Sequence, residues 1–233
     1  MQIKINLRIF IFIIIFCLTR QIEVYGILML FAFLHELGHL FAGVFLGFKP
    51  QSLSINPLGL AISFRVNADD FNTKVKKGHV LATKKLIIAL CGPLVNLLLA
   101  VFFSIFNIQM FNIESDFIVY SNLLICLFNL IPIYPLDGGR IMKNILHIFT
   151  GLESSYSYIN LISNISIIIL TVLSSISIVY LQNIAILFIL AYLWYLVISE
   201  NKLYNQRLKI YSQLEKRLKS DSERNEYSAE KIL

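Results

Sequence analysis

Residues 35 to 39 read His35-Glu36-Leu37-Gly38-His39 and contain the side chains best suited to chemistry. Two histidines four residues apart lie on one face of a helix, where their ring nitrogens can bind one metal ion. Glu36 can then act as a base on a water held by that metal. The motif falls inside an apolar stretch, where a charged side chain costs roughly a few kcal/mol and marks a functional site. The alternative is a chance match in a core helix.

A third ligand is needed, because catalytic zinc sites usually have three protein ligands and one open position. Asp137 is the acidic residue that lies beside another apolar run and also has an unusual backbone setting. Pro132 and Pro135 precede it, and Gly138 and Gly139 follow it. Since proline discourages helix and glycine permits unusual backbone angles, we expect the chain to open before Asp137 and turn its side chain into the protein. Asp137 as a simple helix N-cap is the alternative.

Other polar and small residues in the apolar runs are candidates for supporting this site. Irregular backbone at membrane depth must be satisfied by protein or by water, and Asn129 could hydrogen-bond one of the freed groups. Gly92 and Pro93 favour close helix packing, and the proline frees a carbonyl. Asn96 either ties helices together or contacts substrate backbone. Pro132, Pro135 and Gly138 complete the predicted substrate-binding or site-supporting set.

The composition predicts an all-α polytopic membrane protein. The chain has 233 residues, 57% of them hydrophobic, and a mean hydropathy of +0.73, which is far too apolar for an ordinary soluble domain. Runs of spanning length predict six transmembrane helices: Ile3–Thr19, Val24–Phe48, Leu86–Phe106, Phe117–Ile133, Ile159–Val179 and Ile184–Ile198. The first run could instead be a signal peptide, but it lacks a small-residue cleavage site, which favours a retained span.

The loop between the second and third spans predicts a short β-hairpin around Asn56–Gly59, apolar enough to associate with the membrane surface. A simple connector is the alternative. We expect one six-span domain over residues 1–199, with its catalytic core at about 24–145. Residues 200–233 are expected to form a charged cytoplasmic helical tail whose last dozen residues are disordered.

The distribution of positive charge predicts the topology. Of the 20 lysine and arginine residues, all except Arg20 fall in segments that six spans place on one side of the membrane. Cytoplasmic loops retain positive charge, so both termini are expected in the cytoplasm. The net charge of +6 then reflects topology and anionic lipid rather than nucleic acid, since no aromatic residues interleave with the basic loop.

Taken together, three motifs carry a resemblance to a known family. They are His35-Glu36-Leu37-Gly38-His39, Gly92-Pro93-x-x-Asn96 and Asn129-x-x-Pro132-x-x-Pro135-Leu136-Asp137-Gly138-Gly139-Arg140. This set resembles the signature of the site-2 protease family, which are intramembrane zinc metalloproteases. The resemblance implies one zinc ion held by His35, His39 and Asp137, with Glu36 as the catalytic acid/base. It also implies a membrane-associated protein substrate, cleaved near the cytoplasmic face.

Within that family, the short form without an extracytoplasmic peptide-binding domain resembles the sporulation protease that matures a mother-cell sigma factor. This resemblance implies a sigma-factor precursor as substrate, an inhibitory membrane-protein partner, and a location in the cell membrane or the forespore outer membrane. One departure is clear. Many such proteins have a pair of nucleotide-sensing CBS motifs after the last span, and residues 200–233 are too short for them.

Two other classes of function compete with this interpretation. A divalent-metal transporter or channel would explain intramembrane histidines and Asp137, but not the position of Glu36 directly after His35. A membrane-anchored metalloprotease acting on soluble chains would usually have its motif in an extramembrane domain, and no loop here is long enough for one.

Overall fold

The computed structural model describes the chain except residues 1, 6, 19, 21, 57–58, 66–74, 110–112, 182–184 and 231–233. The described part is mostly helical. Its strands are β1 (Gln2–Ile5), β2 (Lys49–Asn56) and β3 (Gly59–Arg65). Its helices are α1 (Arg8–Leu18), α2 (Ile22–Phe45), α3 (Val75–Phe106), α4 (Ser115–Asn129), α5 (Asp137–Thr150), α6 (Leu152–Leu181) and α7 (Ala185–Glu230).

Three described helical segments are long and apolar enough to cross a membrane, namely Ile22–Phe45, His79–Phe106 and Ser154–Ser175. They contain most of the second, third and fifth predicted spans. Many large apolar side chains on these helices face outward, among them Leu94, Leu98 and Val101 on α3. Exposed apolar surface of this extent is typical of contact with lipid. The chain is therefore an integral membrane protein, and the structure does not establish all six predicted spans.

The prediction of a first membrane span at Ile3–Thr19 is wrong. Residues Gln2–Ile5 form strand β1, and the helix that follows has only 11 residues, too few to cross the hydrocarbon core. Polar Gln2 and Lys4 alternate with Ile3 and Ile5, which is the period of a strand. High overall hydropathy hid that alternation in the sequence.

The fourth predicted span, Phe117–Ile133, is interrupted as the prolines predict. Helix α4 has 15 residues and ends at Asn129, and the chain is irregular until α5 begins at Asp137. Within this loop the Ile133 side chain is fully buried, and the Leu136 amide donates to the Ile133 carbonyl at 2.8 Å. Protein therefore satisfies part of the backbone that the prolines free.

The predicted hairpin is confirmed and belongs to a larger sheet. Strands β2 and β3 pair antiparallel, with Asn56 opposite Gly59, and β1 pairs parallel with the other edge of β2. Helix α2 leads into the sheet through a helix C-terminus with Gly47 at a φ of 89°. There the Phe48 amide donates to the Gly43 carbonyl and the Gly47 amide to the Val44 carbonyl, which is the Schellman motif that stops a helix.

Helices α2, α3 and α4 pack around an apolar core next to the site. Its buried residues are Ile27 and Phe31 of α2, Phe103 of α3 and Ile118 of α4. The rings of Phe31 and Phe103 meet edge to face at 6.1 Å between centroids. Since Phe31 lies one turn before His35, this core fixes the helix that carries both histidines.

The chain divides into two compact units, Met1–Ile162 and Ser163–Leu233. The second unit contains the end of α6 and all of α7. Trp194 Nε1–H donates to Thr171 Oγ1 at 3.0 Å, and Asn201 Nδ2 donates to Asn164 Oδ1 at 2.9 Å. Helix α7 continues to Glu230, so residues 200–230 are helical.

Candidate metal centre

The structure brings His35, His39 and Asp137 together at the interface of α2 with the start of α5. His35 Nε2 lies 2.8 Å from Asp137 Oδ2, and His39 Nε2 lies 3.1 Å from the same oxygen. The two Nε2 atoms are 3.1 Å apart. All three residues are buried. Side chains 98 and 102 residues apart in sequence thus converge on one point.

These three atoms form a triangle of the size that a small divalent cation requires. Ligand bonds of about 2.0 Å in a tetrahedral zinc site place the ligand atoms roughly 3.3 Å apart. The observed separations of 2.8 to 3.1 Å are slightly shorter than that. Two imidazole nitrogens and a carboxylate oxygen are also the donor types that zinc prefers. The residues present therefore fit a bound zinc ion.

The orientation of His39 is fixed by its second ring nitrogen. Nδ1 lies 2.7 Å from the carbonyl oxygen of Ile88 in α3. Because a carbonyl only accepts, Nδ1 must carry the proton and donate it. Nε2 of the neutral ring then has its lone pair directed at the centre, as metal-binding histidines require.

Helix α3 supports both histidines through Gly92. A methyl group at position 92 would overlap His39 Nε2 and come within 2.6 Å of His35 Nε2. A Cβ at Gly38 of α2 would likewise lie 2.9 Å from the Cys91 carbonyl oxygen. Two glycines thus let α2 and α3 approach until the α3 backbone borders the centre.

Asp137 reaches the centre because the irregular loop folds back on the start of α5. A Cβ at Gly138 would overlap the Leu130 carbonyl, and one at Gly139 would overlap the Tyr134 backbone. The other carboxylate oxygen, Oδ1, lies 3.6 Å from Arg140 Nη1. Arg140 therefore holds one oxygen of Asp137 while the other faces the histidines.

Glu36 is buried beside the triad, at the position that the motif gives to a base. It lies close enough to Asp137 and Arg140 for electrostatic interaction with both. A carboxylate adjacent to a metal triad and buried in an apolar helix is suited to proton transfer.

The chain is similar to known proteins in part of its sequence and in its fold. Residues 108–173 match the model of peptidase family M50. A zinc metalloprotease of Methanocaldococcus jannaschii is 33% identical over 120 residues, which cover 48% of this chain and 31% of that relative. The solved site-2 protease from Methanocaldococcus jannaschii superposes with a TM-score of 0.63 at 21% identity, over 85% of this chain and 89% of that one.

Residues 108–173 are thus similar to peptidase family M50, and the chain has the fold of a solved site-2 protease. The resemblance predicted from the three motifs is confirmed, because the family model, the relative named as a zinc metalloprotease and the fold agree with it. His35, His39 and Asp137 form a group that could hold a metal ion. The chain spans less than a third of the length of its curated relative.

The remaining predicted residues lie in different settings. Asn96 is fully buried one turn after Gly92, and Gly138 packs on the Leu130 and Ile131 carbonyls of the loop that follows α4. Pro132 and Pro135 lie in the loop before Asp137 and are partly buried. Asn129 differs from the expectation, because its Nδ2 donates to the Ile125 carbonyl of its own helix at 3.0 Å rather than to the freed loop.

Two contributions to the centre and one buried polar residue were missed in the sequence. The Ile88 carbonyl that orients His39 is a backbone group, which no side-chain pattern can reveal. Arg140 belongs to the quoted motif, and its spacing of three residues from Asp137 on a helix could have indicated the ion pair. Asn122 is a second fully buried asparagine, at an apolar position of α4, and its presence in a predicted span was the available signal.

Proposed function

We propose that this chain is an intramembrane zinc metalloprotease that cleaves membrane-associated proteins. The observation that carries the proposal is the convergence of His35 Nε2, His39 Nε2 and Asp137 Oδ2 to within 3.1 Å of one another beside Glu36. The M50 match and the zinc metalloprotease relative support the same conclusion. A zinc ion held by this triad would supply a Lewis acid for the scissile carbonyl.

The chain's own residues supply positioning and proton transfer. Glu36 accepts a proton from the attacking water and passes it to the leaving amine. The Ile88 carbonyl keeps Nε2 of His39 free to bind metal, and Arg140 keeps Asp137 Oδ2 turned toward the histidines. The buried position of the triad limits solvent around the reacting groups.

The decisive experiment compares Glu36→Gln with wild type on a membrane-tethered reporter in vesicles. We expect the variant to retain one zinc per chain and to lose cleavage by at least about a hundredfold, since a general base contributes roughly 10²–10⁴. Glu23→Gln is a matched control, because Glu23 is exposed in the first turn of the same helix. Wild-type levels of cleavage by Glu36→Gln would overturn the proposal, as would metal flux through the protein without any proteolysis, which the transporter alternative predicts.

We further propose that substrate adds to the sheet as an extended strand. Peptide bonds of a helical segment are hidden, so the segment must unwind before attack. Strand β3 has β2 on one side, and the ring of its Phe64 packs on Gly43 of α2, one turn after His39. An extended peptide on the other edge of β3 would run close to the centre and be held by backbone hydrogen bonds.

Phe64→Glu is expected to slow cleavage with zinc retained, and unchanged kinetics would remove β3 from the mechanism. A charged residue in place of Leu58 is also expected to slow cleavage, and Leu58 lies outside the described residues.

For the substrate itself, we propose a sigma-factor precursor attached to the membrane, with an inhibitory membrane protein as regulator. We propose both termini of the protease in the cytoplasm, the N-terminus because β1 pairs with β2 of the loop that the positive charge assigns to that side. The three motifs and the absence of an extracytoplasmic domain between predicted spans support this assignment. Coexpression with a panel of tethered precursors, with wild type and Glu36→Gln in parallel, tests it. Processing that depends on Glu36 identifies the substrate, and no such processing across the sigma-factor panel would overturn the assignment.

A further inference from the structure

Two asparagine side chains are fully buried in the interface of α3 with α4. Asn96 and Asn122 both have 0% exposure. Neither Nδ2 nor Oδ1 of Asn96 has a hydrogen-bond partner among the described residues. Asn122 Nδ2 donates to the Ile118 carbonyl of its own helix at 3.0 Å, and its Oδ1 has no partner within the same described part. The Asn96 amide N–H on α3 and the Asn122 amide oxygen on α4 therefore lack the hydrogen bonds that buried polar groups normally make.

The two helices place these side chains at the same level. Ser115 Oγ–H donates to the Phe103 carbonyl at 2.7 Å, which fixes the register where the antiparallel pair begins. Each step of three or four residues backward on α3 and forward on α4 moves about one turn along both helices. The buried residues that this stepping places at equal levels are Ala100 and Ile118, Asn96 and Asn122, and Gly92 and Cys126.

A hydrogen bond between two asparagine side chains on antiparallel helices is formed elsewhere in this chain. In the second unit, Asn201 Nδ2 donates to Asn164 Oδ1 at 2.9 Å, and two turns away Trp194 donates to Thr171. Stepping seven residues along each helix leads from one pair to the other. The register of an antiparallel pair is thus kept over two turns, and an asparagine pair joins helices α6 and α7.

We propose that the side-chain amides of Asn96 and Asn122, which are not bonded to each other as they stand, turn to form an amide clasp between α3 and α4. Asn96 Nδ2 then donates to Asn122 Oδ1, and the clasp positions Asp137 opposite the two histidines. Helix α3 borders the histidines at Gly92, one turn from Asn96. Helix α4 leads through the loop at 130–136 to Asp137. Sliding of α4 along α3 would therefore move the third ligand away from the first two, and the clasp prevents it.

This inference rests on the proposed metal site, and both asparagines are positioning residues. The test uses the full chain in detergent with Co²⁺, whose visible absorption reports ligand geometry. Asn96→Leu and Asn122→Leu keep the side-chain volume and remove the amide. We expect each to weaken Co²⁺ binding about tenfold, the effect of losing a group that supports a ligand, and to change the absorption bands. Because the two residues act as one unit, the double variant should bind about as tightly as either single variant.

Ile159→Ala is the control for lost buried volume, because Ile159 of α6 is buried and belongs neither to the core beside the histidines nor to the metal centre. It should lower the thermal midpoint and leave Co²⁺ affinity and spectrum as in wild type. Asparagine variants that behave like Ile159→Ala, or whose effects on affinity simply add, would overturn the clasp. If a single variant fails to fold while the double variant folds, the amides depend on each other and the clasp is supported.

The metal site and the clasp fail in different ways. A wild-type chain that binds no Co²⁺ would overturn both proposals. Wild-type binding that is lost in His35→Ala but unchanged in Asn96→Leu and Asn122→Leu would leave the metal site standing and overturn the clasp alone.

Discussion

The backbone of Gly92 lies directly against the imidazole of His39, so closely that a methyl group at position 92 would overlap the ring nitrogen that faces Asp137. On this side the candidate metal centre is therefore bordered by the main chain of α3, with no side chain between Gly92 and the His39 ring. His39 also donates to the Ile88 carbonyl, which lies on α3 one turn before Gly92. Helix α3 thus supports the centre by contact and by hydrogen bonding at once.

Gly92→Ala is expected to abolish or strongly weaken metal binding, because the added methyl group must displace His39 or separate α2 from α3. We expect a loss of zinc affinity of at least about a hundredfold, the upper end for disturbance of groups that support ligands. Isothermal titration of the purified protein measures it.

Gly26→Ala is the control for that substitution. A Cβ at Gly26 would meet nothing within 4 Å, so the change should leave zinc affinity unaltered and stabilise α2 by about 0.5–1 kcal/mol. Wild-type affinity in Gly92→Ala would contradict the close approach of α3 to the histidines.

Arg140→Gln is expected to weaken zinc binding about tenfold, because Asp137 Oδ1 loses the guanidinium that lies 3.6 Å away and the carboxylate is then free to rotate. Lys49→Gln removes the same charge from an exposed position on β2. It should leave affinity unchanged. Equal weakening in both variants would indicate a general charge effect and count against orientation by Arg140.

Lys143→Gln is expected to destabilise the first unit by about 1 kcal/mol. Lys143 Nζ lies 3.7 Å from the ring centroid of Tyr156 and 5.1 Å from that of Tyr134, and cation–π contacts contribute roughly 0.5–2 kcal/mol. Lys143→Arg should retain most of the stability. A double-mutant cycle with Tyr156→Leu, followed by thermal unfolding, measures the coupling, and additive losses would count against the contact.

His147 gives this protein a predicted sensitivity to acid. Burial lowers the pKa of His147 below its ordinary value, and the nearby His79, Lys85 and Lys143 lower it further. The unfolded chain therefore binds a proton at a higher pH than the folded chain does, so stability falls as the pH drops through and below the ordinary histidine range. No such loss is expected above that range.

Replacing His147 with Gln should make the stability of the folded chain fall less as the pH drops. Thermal midpoints between about pH 7.5 and pH 5, recorded with chelator so that metal release does not contribute, provide the measurement. Parallel pH curves for wild type and His147→Gln would contradict the assignment.

Much of the site could be predicted because its determinants are local. The spacing of His35 and His39 fixes their common face through helix geometry alone. The prolines at 132 and 135 restrict their own backbone and that of the preceding residue, so the end of α4 before Asp137 was also predictable. The Asn-Pro-Leu-Gly turn predicted the hairpin for the same reason.

The sequence by itself determined a membrane-embedded metal motif, an interrupted helix and a hairpin, since each follows from residues a few positions apart. Only the tertiary structure decided that β1 replaces the start of a span, that Gly92 and the Ile88 carbonyl border the histidines, and that Asn96 and Asn122 are both fully buried. These relationships join segments tens of residues apart, and they depend on how closely and in what register helices pack, which no local pattern of residues encodes.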